Sequence, residues 1–159
     1  MAHVERTLTT TTDIHSVWDY LTDFRTSEEW DPPTVSTERT SGDGGVGTTY
    51  HNVSSFLGSQ SEVDYVVSAI EPLERFELRG DAGKSLDLHD TITFERLPEG
   101  GTQVTYRAEF RTHGAAKLAE PLLPPGLKIL GDKVAASMQE RLDALGAGAT
   151  AADGSGLQA

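Results

Sequence analysis

Apolar and polar residues alternate along most of the chain up to about residue 112, and this period of two predicts β-strands. The first such segment is HVERTLTTT, near the N-terminus. The period then lengthens, because the apolar residues of TTDIHSVWDYLTDF fall at helical spacing behind Thr12 or Asp13 as the helix N-cap. A second short helical piece, FRTSEEWDPP, stops at the two prolines, and strand patterns then continue from Thr34 to about Thr112.

The C-terminal part of the chain predicts one long amphipathic helix. After Pro124 and Pro125, which we expect to break or kink the chain, apolar residues recur every three or four positions as Leu127, Leu130, Val134, Met138, Leu142 and Leu145. From Gly146 the sequence GAGATAADGSGLQA is low in bulky side chains. We therefore expect a single domain over residues 1–145 and a flexible Gly/Ala-rich tail over residues 146–159.

The turn residues of a first hairpin predict which side chains point inward. If Gly58-Ser59 is a two-residue turn, Asn52 pairs with Tyr65 and Tyr50 pairs with Val67. The opposite face of both strands is then polar and carries His51, Ser55, Glu62, Asp64 and Ser68. We therefore expect Tyr50, Asn52, Tyr65 and Val67 to face the interior.

A second hairpin is predicted around Pro98-Glu99-Gly100, with Gly100 in a left-handed conformation. This register pairs Phe94 with Val104, Ile92 with Tyr106, Asp90 with Ala108 and Leu88 with Phe110. Their outward neighbours include the pairs His89 with Glu109 and Thr91 with Arg107. Asp90 is thus an acidic residue in an otherwise apolar inward row.

Asp90 is the leading candidate for a functional residue. A carboxyl group on an inward apolar face must be desolvated, neutralised or paired, and burial raises its pKa toward the range that suits proton transfer. The alternative is structural: Asp90 pairs with Arg6 or caps a backbone group at the cavity rim. Arg6 lies between Val4 and Leu8 in the first strand and is therefore placed to point inward as well.

The charge balance narrows the possible partners. The chain has 159 residues, of which 25 are acidic and 13 basic, and its formal charge of −12 repels phosphate backbones and anionic lipid headgroups. We expect no nucleic-acid partner and no stable membrane insertion. Because there is no cysteine, disulfides, thiolate metal sites and cysteine nucleophiles are excluded. The N-terminus shows no apolar signal segment, and we expect a cytoplasmic protein.

The segment GDGGVGTTY, residues 42–50, has the spacing of a phosphate-binding loop. It lacks the P-loop lysine, however, and a strand pattern follows it where a phosphate site needs a helix N-terminus. We interpret it as a hairpin turn. The five histidines show no metal-ligand spacing and no nucleophile-elbow motif is present. We therefore expect neither a cofactor nor a metal.

The order of elements, one strand, two short helices, about six strands and a long helix, predicts an α+β fold. One antiparallel sheet of about seven strands can bury its apolar face by wrapping around the last helix. The sequence resembles the START-like, or SRPBCC, superfamily and its polyketide cyclase/dehydrase branch, which has the helix-grip fold. The resemblance covers nearly all of residues 2–145 and is carried by VERTLTTTTDIHSVWDYLTDF, GVGTTYHNVSSFLG, VDYVVSAIEPLERFELRG, DTITFERLPEGGTQVTY and the closing helix.

This resemblance implies a cavity between sheet and helix that binds a small, largely hydrophobic ligand, lipid-like or of aromatic or polyketide type. The ligand-binding residues expected are Trp30, Tyr50, Asn52, Tyr65, Val67, Leu88, Asp90, Ile92, Tyr106, Phe110, Leu127, Leu130 and Val134. One alternative is a cyclase/dehydrase of aromatase type, in which Asp90 moves protons together with Tyr50 or Tyr106. Another is a protein-interaction module, for which the outer sheet face is unsuited because it is polar apart from Val53 and Val66.

Overall fold

The computed structural model describes the backbone of residues 2–56 and 58–157, and the side chains of residues 2–55, 58–118 and 125–147. Its strands are β1 (Ala2–Thr10), β2 (Thr34–Ser41), β3 (Thr49–Phe56), β4 (Ser59–Glu71), β5 (Arg75–Asp81), β6 (Leu86–Arg96) and β7 (Thr102–Thr112). The α-helices are α1 (Ile14–Thr22), α2 (Ser27–Trp30) and α3 (Leu123–Leu157). Short 3₁₀ segments cover Phe24–Thr26 and Gly114–Leu122.

All seven strands form one antiparallel sheet in the order β1-β7-β6-β5-β4-β3-β2. Strands β2 to β7 are joined to their neighbours in sequence order, and β1 completes the sheet beside β7. Helix α3 packs on the inner face and buries Leu127, Val134, Met138 and Leu142, the stripe predicted from its periodicity. The fold is therefore the predicted α+β helix-grip fold, with two short helices after the first strand.

Local chemistry explains where the helices begin. Asp13 rather than Thr12 is the N-cap of α1, because its Oδ2 accepts a hydrogen bond of 3.1 Å from the backbone N–H of Ser16. Pro124 and Pro125 lie in the first turn of α3 rather than breaking it, since backbone N–H groups there have no intrahelical partner to lose. Helix α3 extends past residue 145 to Leu157, and the division into domain and tail at that point stays a prediction.

The β6–β7 hairpin has the predicted register, with Asp90 opposite Ala108 and Ile92 opposite Tyr106. Gly100 has a φ of 102° in a loop closed by hydrogen bonds between Leu97 and Gly101 and between Gly100 and Leu97. Because this three-residue loop fixes the alignment, the inward row of β6 and β7 is as the sequence indicated.

The predicted register of the β3–β4 hairpin is wrong by two residues. Tyr50 pairs with Tyr65, not Val67, and Asn52 pairs with Val63. The reason is that Gly58, with a φ of 78°, is the second residue of the turn between Phe56 and Ser59, not the first. A shift of two leaves every side chain on its predicted face, and Tyr50, Asn52, Tyr65 and Val67 are all buried.

The outer face of the sheet carries paired charges. His51 lies 2.7 Å from Asp64 and 3.1 Å from Glu62, and His89 lies 3.3 Å from Glu109. These residues are on the face predicted for them. Among the described residues, no helix is long and apolar enough to span a bilayer.

Candidate ligand-binding cavity

A cavity of about 110 Å³ lies between the inner face of the sheet, the segment around α2 and helix α3. Its walls are mainly aromatic and aliphatic, with a few polar groups that converge on the interior. The lining residues are Phe24, Trp30, Asp31, Pro33, Asn52, Ser54, Ser61, Val63, Tyr65, Leu86, Leu88, Asp90, Tyr106, Phe110 and Leu130. This volume accommodates several waters or a group about the size of one aromatic ring.

A wider groove of about 450 Å³ adjoins the cavity where the β3–β4 and β5–β6 turns approach the start of α3. Ser61, Leu86 and Phe110 line both the groove and the cavity. Leu127 of α3 lines the groove as well. The shared residues make this end of the sheet a mouth of the cavity, and Pro33 and Leu130 connect the cavity to a second groove of about 260 Å³.

Asp90 reaches the cavity from the middle of β6. It is only 4% exposed and lies opposite Ala108 of β7. The Oδ1 atom is fully buried and has no hydrogen-bond partner among the described residues. Burial raises the pKa of the Asp90 carboxyl to about 8, and the nearby charge of Asp31 acts in the same direction. At neutral pH this group holds its proton.

Arg6 does not pair with Asp90, so that structural alternative from the sequence is wrong. The Arg6 guanidinium lies 3.0 Å from the Asp132 carboxylate and donates a hydrogen bond of 3.2 Å to the backbone carbonyl of Lys128. Both partners belong to α3, which crosses β1 so closely that a side chain at Gly131 would meet Val4. Because α3 lies so close to β1, Arg6 pairs with the helix, and Asp90 has no basic partner among the described residues.

A second carboxyl group, Asp31, lines the same cavity from the segment just after α2. Thr34 donates a hydrogen bond of 2.6 Å to Asp31 Oδ2, and Thr34 itself accepts one of 3.2 Å from Asn52 Nδ2. Burial raises the pKa of Asp31 to about 6, while the hydrogen bond from Thr34 acts in the opposite direction. At neutral pH the cavity therefore holds one carboxylate, Asp31, and one carboxylic acid, Asp90.

Asn52 is held in place by the protein itself. Its Nδ2 donates to Thr34 and, over 2.9 Å, to Thr37, while its Oδ1 accepts a hydrogen bond of 2.6 Å from Ser54. Both amide donors and the carbonyl are thus engaged. Asn52 lines the cavity as predicted, but it orients Thr34 and β2 rather than offering a free group to a ligand.

The three candidate tyrosines occupy two different environments. Tyr65 and Tyr106 line the cavity, and neither hydroxyl makes a hydrogen bond within the part of the chain that the structure describes. Burial, and next the charges of Asp90 and Asp31, raise the pKa of both well above its ordinary value. Tyr50 lies outside the cavity and packs edge-on against Phe24 at 5.7 Å, with its pKa raised by burial.

The structure brings eight of the thirteen predicted ligand-binding residues together on the cavity wall: Trp30, Asn52, Tyr65, Leu88, Asp90, Tyr106, Phe110 and Leu130. The other five pack elsewhere. Tyr50, Val67, Ile92 and Val134 belong to the main core, and Leu127 packs with Val4 and Ala108. That any of these residues binds a ligand stays a prediction.

The sequence pattern does not indicate Asp31 and Phe24 as cavity residues, because the segment between α1 and β2 predicts only a short helix and its stop. The available signal was the order Trp30-Asp31-Pro32, in which an acidic residue follows a large aromatic one and precedes two prolines. Proline holds the preceding residue in an extended conformation, and Asp31 has φ −108° and ψ 98°. Trp30 and Asp31 both line the cavity.

Fold and cavity together define a helix-grip protein with an internal cavity. Residues 1–149 match the family described as polyketide cyclase / dehydrase and lipid transport, and the chain belongs to this family. Among curated proteins, a sequence search finds no match.

Several solved structures share the fold. The Zhui aromatase/cyclase from Streptomyces sp. R1128 has a TM-score of 0.76 at 16% identity, covering 89% of this chain and 93% of that one. A protein from Thermus thermophilus has a TM-score of 0.74 at 16% identity, covering 90% of this chain and 98% of that one. A START superfamily protein from Mycobacterium smegmatis has a TM-score of 0.69 at 12% identity, again covering 90% of this chain and 98% of that one. At such low identity these similarities show the fold alone.

Proposed function

We propose that this protein binds a small, largely hydrophobic ligand in the cavity, with a polar group of the ligand hydrogen-bonded to Asp90. The observation that carries the proposal is the buried Asp90 carboxyl group, which lines the cavity and whose Oδ1 lacks a hydrogen-bond partner among the described residues. A buried polar atom without a partner costs free energy on the order of 1 to 3 kcal/mol. A ligand that supplies the missing hydrogen bond recovers part of that cost.

The size of the cavity limits which part of a ligand it takes. At about 110 Å³ it holds a single ring or a short branched chain, and the adjoining groove of about 450 Å³ takes whatever extends beyond it. The family described as polyketide cyclase / dehydrase and lipid transport is consistent with ligands of this kind. Lipid-like and aromatic molecules both meet these requirements.

Blocking the mouth tests this proposal. Ser61 is exposed and lines both cavity and groove, so Ser61→Trp should close the passage while leaving a folded domain. Ser59→Trp places the same side chain at an exposed position two residues away and is the matched control. Titration of benzyl alcohol followed by nuclear magnetic resonance should show binding to the parent and to Ser59→Trp, and at least about tenfold weaker binding to Ser61→Trp. Equal binding by all three proteins contradicts the proposal.

The second candidate function is a cyclase/dehydrase-like enzyme, favoured by the presence of an acid and a base in one cavity. Asp90 holds a proton at neutral pH, Asp31 is ionised, and Tyr106 lines the same space. In an aldol closure the Asp31 carboxylate would take a proton from carbon, that carbon would bond to a carbonyl carbon, and Asp90 would protonate the resulting alkoxide. In the dehydration that follows, the Asp90 carboxylate would take a second proton from the same carbon and Asp31 would return its proton to the hydroxyl group, which leaves as water. Tyr50 has no place in this scheme, because it lies outside the cavity.

Turnover of a poly-β-carbonyl substrate tests the enzymatic candidate. Asp90→Asn keeps the shape but cannot donate a carboxylic proton, so the rate should fall about a hundredfold or more. Asp64→Asn removes a carboxyl group from the outer face and should convert substrate at the parent rate. If Asp90→Asn also keeps the parent rate, Asp90 has no catalytic role and the binding function stands alone.

A further inference from the structure

Among the residues that line the cavity, those of a charged type are all acidic. Asp31 and Asp90 both line it, and its fifteen lining residues include no lysine, arginine or histidine. Arg6, the basic residue expected beside Asp90, is paired with Asp132 of α3. The two carboxyl groups therefore lie in an apolar space with no cation from the described part of the chain, an arrangement that costs free energy in the empty protein.

The remaining walls are suited to a cation. Phe24, Trp30, Tyr65 and Tyr106 surround the space, and they contact one another edge-on, with Phe24 and Tyr65 at 4.9 Å and Trp30 and Tyr106 at 5.6 Å. In these T-shaped pairs the ring planes are inclined to one another by 65° and 72°. The face of an aromatic ring carries partial negative charge and attracts ammonium groups.

We propose that the ligand of this cavity is a small hydrophobic amine, bound as its ammonium ion between Asp31 and Asp90 with its apolar part against the aromatic walls. This inference rests on the proposed binding function of the cavity. It goes further by naming the charge of the ligand, which hydrophobicity alone does not give. It also excludes fatty acids and other carboxylates, which would place a third acidic group beside the first two.

The N–H donors of an ammonium ion match the hydrogen-bond acceptors that the cavity offers. A primary ammonium has three N–H donors: one reaches the Asp31 oxygen that Thr34 leaves free, one reaches the unpartnered Asp90 Oδ1, and the third is left for a water. When the cation enters, Asp90 becomes the ionised partner and its proton passes to the solvent. The titratable groups that face Asp90 in the cavity are Asp31, Tyr65 and Tyr106, and the tyrosines stay protonated throughout.

The net charge of the whole protein works in the same direction. With a formal charge of −12 the molecule attracts small cations and repels small anions over a Debye length of about 8 Å at physiological salt. An amine is thus favoured both during approach and inside the cavity. A neutral alcohol of the same shape gains neither of these contributions.

Three compounds of matched shape test the inference: benzylamine, benzyl alcohol and benzoate, titrated calorimetrically at about pH 7. Benzylamine should bind at least about tenfold more tightly than benzyl alcohol, and benzoate should show no binding. Asp31→Asn and Asp90→Asn should each weaken benzylamine about tenfold or more and change benzyl alcohol by less than about threefold. Asp64→Asn, which removes a carboxyl group from the outer face, should behave like the parent.

A second experiment measures the release of a proton when the amine binds. Repeating the benzylamine titration in buffers with different heats of ionisation should reveal the release of up to about one proton per bound amine in the parent, and none in Asp90→Asn. If benzyl alcohol binds as tightly as benzylamine and no proton is released, the amine inference is overturned while the proposed binding function stands. If no compound binds the parent, or if Ser61→Trp binds benzyl alcohol as tightly as the parent does, the proposed function fails as well.

Discussion

Asp31 and Asp90 face the same cavity from separate parts of the fold, and the charge of Asp31 adds to burial in raising the pKa of Asp90 to about 8. Asp31 keeps the lower pKa of about 6 because it accepts the hydrogen bond from Thr34, whereas Asp90 Oδ1 makes no such bond within the described residues. At neutral pH one of the two carboxyl groups is therefore a base and the other an acid, which is the arrangement that the cyclase/dehydrase candidate uses.

Stability should depend on pH through Asp90. Its pKa rises on folding from an ordinary value near 3.8 to about 8, so folding takes up a proton between these limits. The stabilisation is complete below about pH 4 and is lost as pH rises to about 8, by at most about 1.4 kcal/mol per pH unit. Asp31 acts with the same sign up to its pKa of about 6.

Asp90→Asn isolates this contribution, because asparagine imitates the protonated acid at every pH. Urea denaturation from about pH 5 to about pH 9 should show the stability of the variant over the parent growing as pH rises, with the largest difference at the alkaline end. Asp19→Asn, at an exposed position of α1, should follow the parent throughout. Parallel curves for parent and Asp90→Asn would mean that Asp90 titrates like an ordinary aspartate.

The sequence allowed Asp90 to be placed correctly because short-range chemistry decides its position. The Pro98-Glu99-Gly100 loop fixes the β6–β7 register, and strict alternation then sends Asp90 inward beside Ala108. The predicted β3–β4 register was wrong by two residues, yet a shift of that size preserves the faces. Fold class and inward faces are consequences of period and turn type, both of which are local.

The partner of Arg6 and the role of Asp31 could not be predicted in this way. Arg6 pairs with Asp132 rather than Asp90 because of how closely α3 crosses β1, which is a matter of packing between elements far apart in the chain. Asp31 lines the cavity together with residues of β3, β4, β6 and β7, which lie far from it in the chain. Tyr50 is inward as predicted, but it lies beside Phe24 in the core, and no periodicity distinguishes core from cavity wall.

The crossing of α3 over β1 makes Gly131→Ala destabilising. Alanine favours a helix by about 1 kcal/mol over glycine, but a Cβ at this position would overlap Val4 Cγ2 and lie 3.1 Å from Arg6 Cζ. We expect a net loss of about 1 to 3 kcal/mol in the free energy of unfolding. Combining it with Val4→Ala should cost less than the sum of the two single changes, and strict additivity would show that the contact does not matter.

The glycine-rich turn between β2 and β3 should bind no nucleotide. Its backbone N–H groups are already used: Gly44 donates to Thr48 Oγ1 over 2.9 Å and Gly47 donates to the Val67 carbonyl over 2.9 Å. The Asp43 carboxylate accepts from Gly45 and adds negative charge. Calorimetric titration with ATP, GTP and NAD should give no binding heat. Micromolar binding that is lost in Gly47→Val would contradict this interpretation.

The two tryptophans should report binding differently. Trp30 is 1% exposed and lines the cavity, while Trp18 packs against Phe94 at 4.9 Å and does not line it. Benzylamine should therefore change the fluorescence of Trp18→Phe, in which Trp30 is the remaining reporter, and leave that of Trp30→Phe unchanged. Equal responses from both variants would place the bound amine outside the cavity.

A crystal structure of the full chain with benzylamine tests the central claim most directly, namely that this cavity is a ligand site organised by Asp31 and Asp90. We predict electron density for the ring against Tyr65 and Tyr106, with the nitrogen within hydrogen-bond distance of Asp90 Oδ1 and of an Asp31 oxygen. Density for the amine only at the outer face, with the cavity unchanged at a concentration that saturates binding in solution, would contradict the account.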